Sequence, residues 1–290
     1  MTQEDLQTAP SSSQKPIVGF RQLMRAFQSL RIEAGSPVLV HCAMSSFGQV
    51  QGGAQTVVGA LLHVFKSVVV PTFTYNTMVV PEVGPPDNAI QYGAFTDRNM
   101  MAEFFHQDLP ADRLMGAVAE TLRKHTQAAR SGHPVLSFAG VNADQYLEKQ
   151  ILAEPLAPIA AMYDDSGYVL LIGVDHTVNT SIHLGERLAN RKSYIRWALL
   201  PDMAVACPNF PFCSDGFDDI RPLIEPFTRK AQVGNAVIQA IPMPELVDST
   251  RQLIQADPTA LLCERTDCLS CNTIRRDIQA KKNAKNNPPS

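Results

Sequence analysis

The sequence predicts an α/β protein in which a central, mainly parallel or mixed sheet is flanked by helices. Short apolar, β-branched runs read as buried strands: Pro37-Val-Leu-Val40, Val68-Val-Val-Pro-Thr72 and Gly167-Tyr-Val-Leu-Leu-Ile-Gly-Val174. They alternate with segments whose apolar residues recur at helical spacing, the pattern of a layered α/β domain.

From Gly19 to Leu30, the residues Phe20, Leu23, Met24 and Phe27 fall on one helical face, and Gly35-Ser36 stops the chain before the first strand. Val57, Val58, Leu61, Leu62 and Phe65 make the next helix. Strand, helix and strand within so few residues predict a βαβ unit with a parallel pair. The stretch from Tyr75 to Asp112 is proline-containing and aperiodic, and reads as an irregular insertion. A helix around Met115 to Lys124, a turn at Arg130-Ser-Gly-His-Pro134, a strand at Val135 to Ala139 and a helix near Ala143 to Gln150 follow. Gly167 to Val174 is the most continuous apolar run and predicts a central strand, with a helix over Thr180 to Arg191 after it. Beyond Tyr194 a strand is expected at Ile195 to Leu199, then a Pro/Cys-rich loop and helices around Gln232 to Ile241 and Glu245 to Ala256; antiparallel strands could be added within 195–256. Residues 1–15 and 281–290 read as disordered polar tails, leaving a single domain over 16–280.

The 290 residues are 45% hydrophobic and 18% charged, enough apolar material for a large core. A net charge of −3 without a basic stripe argues against a nucleic-acid partner, and small molecules are expected instead. The polar N-terminus and the absence of any run near the ~20 apolar residues of a membrane span predict a soluble, cytoplasmic protein.

Three segments could carry chemistry. The loop His41-Cys-Ala-Met-Ser-Ser-Phe-Gly48 joins a strand to a helix, where backbone N–H groups gather, and Ser45 and Ser46 add hydroxyls suited to a phosphate; its plain reading is a connection. Arg130 could grip phosphate or carboxylate through its planar fork, with Ser131 beside it; its plain reading is a solvated turn. On a helix, His183 and Glu186 are three residues apart on one face, so the carboxylate can orient an imidazole that takes a proton. Such pairs are usually solvated, but this one follows the strongest strand.

These segments, in this order, resemble the antibiotic N-acetyltransferase family, best known for the aminoglycoside 3-N-acetyltransferases. The resemblance rests on VHCAMSSFGQVQGGAQTVVGAL, VVVPTFT, MGAVAETLR, RSGHPVLSFAG and LLIGVDHTVNTSIHLGE, covering roughly Gly19 to Arg191, with weaker agreement at QVGNAVIQA. It implies acetyl-CoA as co-substrate and an amine acceptor, with antibiotic resistance as one use. Ser45, Ser46, Thr72, Arg130 and Ser131 then fall where family members contact coenzyme A, and His183 falls at the catalytic histidine with Glu186 as partner. The family's fold is distinct from that of the common acetyltransferase superfamily, so the fit of Gln49-Val-Gln-Gly-Gly-Ala54 to that superfamily's Gln/Arg-x-x-Gly-x-Gly/Ala pattern is accidental.

The implied reaction is direct transfer in a ternary complex, with His183 as general base, Glu186 stabilising the imidazolium, and Thr180 or a nearby backbone N–H receiving the oxyanion. Cys42 near the donor loop raises a ping-pong alternative, against which stands the ordinary fate of a free cysteine, burial. His41, His133 and His176 read as structural. Glu82, Asp87, Asp97 and Glu103 in the insertion are interspersed with Pro, Met and Phe and do not form a clear polycation trap. Cys268-Leu-Ser-Cys271 has zinc-ligand spacing, and Cys263 with Cys207 or Cys213 could complete a structural site; the alternatives are free thiols or an adventitious disulfide. The sequence leaves the oligomeric state open, a homo-oligomer included. The rival functions are acyl transfer with another acyl-CoA or acceptor, and a non-catalytic CoA- or metal-binding protein.

Overall fold

The computed structural model describes residues 17–93 and 97–286. In chain order the strands are β1 (Ile17–Val18), β2 (Val38–Cys42), β3 (Gln49–Val50), β4 (Val68–Pro71), β5 (Met78–Val79), β6 (Ala128–Arg130), β7 (Phe138–Val141), β8 (Tyr168–Ile172), β9 (Tyr194–Leu199), β10 (Ala204–Phe210), β11 (Arg229–Val233) and β12 (Ala236–Pro242). The α-helices are α1 (Phe20–Ser29), α2 (Gly53–Val64), α3 (Asp97–Met100), α4 (Gly116–Arg123), α5 (Asp144–Leu147), α6 (Ala157–Asp164), α7 (Ile182–Leu188), α8 (Arg221–Ile224), α9 (Met243–Ala256) and α10 (Leu269–Asn286).

The frame is a seven-stranded sheet in the order β11-β12-β8-β2-β4-β7-β6. Its three central strands are parallel: β2 pairs with β4 on one side and β8 on the other. Antiparallel β12 and β7 flank them. The sheet is therefore mixed, with the βαβ unit expected from 37–72 at its centre. A second, antiparallel sheet joins β5, β9 and β10.

The period-two alternation of the apolar strands divides the core into two layers. Val38, Val40, Val68, Val70, Leu170 and Ile172 belong to the layer built with α1, α2 and α4. Leu39, Val69, Val169 and Leu171 belong to the opposite layer, with α6, α7 and α9. Each such fully buried side chain contributes roughly 1.5–3 kcal/mol, so the strands nearest the site are also the most firmly fixed.

Several expectations are corrected. Gln232 to Ile241, read as a helix, forms the β11–β12 hairpin, in which Val233 pairs with Ala236 across Gly234-Asn235. Two-residue turns of this composition favour hairpins, and the β-branched Val233, Val237, Ile238 and Ile241 suit a pleated surface better than a helix. Part of the Pro/Cys-rich loop is β10, and Arg130 ends β6 instead of starting a turn. The strand expected at Val135 to Ala139 begins at Phe138, because His133 Nδ1 accepts from the backbone N–H groups of Val135 and Leu136 and holds them in a turn. The insertion from Tyr75 contains β5 and α3. Helix α10 continues to Asn286, past the expected domain end at 280; the other tail, residues 1–15, and residues 287–290 lie outside the described residues. No helix among the described residues is long and apolar enough to cross a membrane.

Candidate active site

The carboxyl ends of β2, β4 and β8 open into a cavity of about 610 Å³. His41 and Cys42 reach it from the end of β2, Pro71 from the end of β4 and Phe73 from just beyond it, and Val174 from the segment after β8. Thr177, Thr180 and His183 close one side, and Phe210, Phe212 and Ser214 another. Ligands in open α/β sheets bind at this end of the strands because the loops diverge there and leave backbone polar groups unpaired.

His183 sits on α7, a short helix that is buried from Ile182 through Glu186. Gly185 sets its position: a Cβ there would collide with the Thr250 side chain and lie 2.9 Å from the Val247 carbonyl, so only glycine lets α7 seat this closely on α9. His183 Nδ1 and Glu186 Oε2 are 2.7 Å apart. With Nδ1–H donating to the carboxylate, Nε2 is the ring atom left for the cavity. Glu186 Oε1 accepts from Arg191 Nη1 at 2.8 Å, and Arg191 Nη2 donates to the carbonyls of Pro258 and Ala260 at 2.9 and 2.7 Å. Edge-on against the imidazole stands Phe217, its ring centre 4.7 Å away, with Phe212 at 6.0 Å. The ring is thus fixed by a carboxylate and by aromatic packing. Thr180 also lines the cavity, with no hydrogen-bond partner for its hydroxyl among the described residues.

Of the expected donor-contacting residues, only Ser45 lines this cavity. Ser46 Oγ donates to the Ala43 carbonyl at 2.7 Å and is packed on Gly173, whose φ of +65° and lack of a Cβ make room for it. Thr72 is fully buried and its hydroxyl bonds to Ser137. Ser131 Oγ accepts from the Phe138 N–H at 2.8 Å. Arg130 donates to Ser137 Oγ at 3.1 Å and to the carbonyls of Gln107, Leu109 and Thr72 at 2.9, 2.5 and 2.9 Å, beneath the Phe105 ring. Neither the phosphate-gripping Arg130 nor the solvated-turn Arg130 matches this geometry: the guanidinium ties the insertion to the sheet. Burial, followed by the nearby Arg123, lowers its pKa to about 10, which leaves it charged near neutrality.

Cys42 lies at the cavity wall, but burial pushes its thiol up to about 12, the opposite of what a nucleophile needs. Tyr75 is likewise raised to about 12, by burial and then by Asp112, and stays a neutral phenol. His41, whose Nε2 is buried without a hydrogen-bond partner among the described residues, is lowered to about 4 by burial. Sequence reasoning missed Arg191, although it lies only five residues beyond Glu186, because the turn that ends α7 takes it off the regular helical spacing; it also missed Phe212 and Phe217, whose distance along the chain from His183 leaves no local signal.

Behind the cavity, the Sγ atoms of Cys213, Cys263, Cys268 and Cys271 all lie within 4.8 Å of one another. Cys207 is not among them; it is buried in the main core. A tetrahedral tetrathiolate zinc with bonds of ~2.3 Å has sulfur–sulfur edges of about 3.8 Å, so small side-chain adjustments would make this a four-ligand site.

The family model for aminoglycoside 3-N-acetyltransferase matches residues 39–255. The chain belongs to this family. Among curated relatives, the SPbeta prophage-derived aminoglycoside N(3')-acetyltransferase-like protein YokD of Bacillus subtilis (strain 168) is 31% identical over 167 residues, which are 55% of this chain and 61% of that one. The chain thus spans about three fifths of the length of the curated relatives it matches. Aminoglycoside acetyltransferase AAC(3)-IVa, solved as the apoenzyme, superposes with a TM-score of 0.75 at 22% identity, covering 91% of this chain and 99% of that one. AAC-IIIb in its binary complex with CoASH gives 0.69 at 19% identity, covering 83% and 97%. The α/β architecture with its mixed sheet is therefore the fold of the aminoglycoside 3-N-acetyltransferases.

Proposed function

We propose that the protein transfers the acetyl group of acetyl-CoA directly to an amine of an aminoglycoside or a related amine-bearing small molecule, with His183 as general base. The observation that carries this reading is the His183 imidazole at the wall of the cavity, held through Nδ1 by Glu186 so that Nε2 is left for the acceptor. Membership of the family, and the CoASH complex of AAC-IIIb, support acetyl-CoA as the donor.

His183 Nε2 removes a proton from the acceptor as its nitrogen attacks the thioester carbonyl, and the positive imidazolium is stabilised by Glu186. Arg191 keeps that carboxylate aimed at the ring. The Thr180 hydroxyl donates to the oxygen on which charge develops. Collapse breaks the carbon–sulfur bond, and the proton on His183 passes to the leaving thiolate, so atoms and charge balance without a covalent enzyme intermediate. Ser45 offers a polar contact to the donor at the cavity wall.

No Asp or Glu among the described residues lines the main cavity. Glu103 and Asp112, partly offset by Arg113, line an adjoining cleft of about 470 Å³ that shares Tyr75 with it, which leaves a net negative charge for a cationic acceptor. The reading places the protein in the cytoplasm, where the donor is available and thiols stay reduced, and includes a structural zinc on Cys213, Cys263, Cys268 and Cys271.

The test is mass-spectrometric detection of acetylated product, with CoA release, across aminoglycosides and simpler amines. Amine-dependent acetylation is expected. Tight CoA binding without product for any amine would favour a binding protein instead.

A further inference from the structure

Cys213 is flanked by two residues of the cavity wall. On one side, Phe212 packs against His183 and stands perpendicular to Tyr194 with ring centres 5.9 Å apart. On the other, Ser214 Oγ donates to the carbonyl of Thr177, itself a cavity residue, at 2.5 Å. The three remaining thiols come from the far end of the chain: Cys263 after α9, Cys268 before α10 and Cys271 in its first turn. The two regions also meet where Gly216 packs against the backbone of Leu261, Leu262 and Cys263 and where Arg265 pairs with Asp215. Among the described residues, the surrounding apolar cluster has Leu262, Cys263, Cys271 and Ile274 as buried members, with Phe212, Cys213, Cys268 and Ile278 packed against it.

We infer that zinc bound by Cys213, Cys263, Cys268 and Cys271 clamps the Phe212–Ser214 wall against His183, so that metal occupancy sets the shape of the reaction cavity. This rests on the zinc part of the proposed function but not on acetyl transfer.

Four thiolates exclude an open coordination position, so the metal braces and does not react. The segments that carry the four thiols are also tied to one another by hydrogen bonds and an ion pair. The backbone N–H of Asp215 donates to Cys213 Sγ at 3.4 Å, and Arg265 stands close by, bridging Asp215 and Asp267 at 3.1 Å to each. Arg275, on α10, donates to the Cys263 carbonyl. Such outer contacts hold metal ligands in register. Without a metal, four mutually close thiols contribute weak hydrogen bonds only. The wall would then be held by Phe212 packing, the Ser214 bond, the close approach of Gly216 to residues 261–263 and the exposed Arg265–Asp215 pair, none of which fixes Cys213 itself.

The clamp also explains why the carboxyl-terminal segment lies beside the site. Tyr194 reaches it from β9, its hydroxyl donating to the Ser270 carbonyl at 2.8 Å while its ring supports Phe212. A route of direct contacts therefore runs from α10 through the metal ligands to the imidazole.

The experiment combines zinc analysis with hydrogen exchange on the full-length protein. The purified protein should contain one zinc per chain, released by a mercurial thiol reagent. In Cys268→Ser, zinc should be lost and amide exchange across 210–217 should accelerate roughly tenfold or more, while exchange in β2, β4 and β8 stays slow, showing that the variant is folded. Cys268→His, which preserves a four-ligand zinc set, should restore both zinc and slow exchange. Absence of zinc from the wild type would overturn the site. Zinc present but exchange across 210–217 unchanged on its loss would overturn the clamp, and neither result depends on which amine, if any, is acetylated.

Discussion

Arg191 holds Glu186 at 2.8 Å, and each side chain is no more than 3% exposed, so the partner of the proposed base is itself fixed by a buried ion pair. Removing one member of such a pair leaves an uncompensated charge and typically costs about 3–5 kcal/mol. Arg191→Met should therefore lower stability by that order and reduce kcat about tenfold as Glu186 loses its aim. Glu186→Gln should lower kcat by ~10- to 100-fold with less change in the KM for acetyl-CoA. Chemical denaturation alongside steady-state kinetics checks both; unchanged kcat in Glu186→Gln would detach the carboxylate from the reaction.

Cys42→Ser should keep most of the wild-type activity. Burial holds this thiol in its protonated form, and direct transfer needs no acyl-enzyme. Intact-protein mass spectrometry after addition of acetyl-CoA alone should show no acetylation at Cys42, and stoichiometric labelling there would replace direct transfer by a ping-pong route.

For Arg130→Ala the structure changes the expectation drawn from sequence. The guanidinium is committed to three carbonyls and the Ser137 hydroxyl, so its loss leaves buried acceptors unpaired and should cost about 2–4 kcal/mol. The KM for acetyl-CoA in the folded fraction should stay near that of wild type. A large rise in that KM without destabilisation would restore Arg130 to the donor site.

What the sequence disclosed and what it concealed follow from the range of the forces involved. The strands around Leu39, Val69 and Leu171 were readable because continuous apolar runs are local and their meaning scarcely depends on context. His183 and Glu186 were readable because helical spacing alone brings them together. The hairpin at Gln232 to Ile241 was misread because an apolar run without strict alternation fits either structure, and the deciding partner, β8, lies some seventy residues earlier. Choosing Cys213 over Cys207 required knowing that β10 turns Cys207 into the core. Arg130 shows the limit of residue chemistry: a guanidinium suits phosphate and carbonyl oxygens equally, and only the path of the insertion decides.

Stability should fall on mild acidification. Burial lowers His41 and His133 to about 4 each, below the ordinary value near 6.5. Between those values the unfolded chain takes up protons that the native state refuses, so the stability present above ~6.5 is lost as pH falls towards 4. The slope approaches about 1.4 kcal/mol per pH unit for each histidine. Urea midpoints measured across this window should decline with acidity and flatten when His133 is replaced by Gln, provided that variant folds; a wild-type midpoint constant from neutrality to about pH 4.5 would show that these imidazoles are not held neutral.

The most direct test of the account is His183→Ala, assayed for turnover and, by calorimetry, for acetyl-CoA binding. With Nε2 removed from the cavity wall, kcat should fall at least ~100-fold while donor affinity stays near that of wild type. Near-normal turnover in a variant that still binds acetyl-CoA would contradict it.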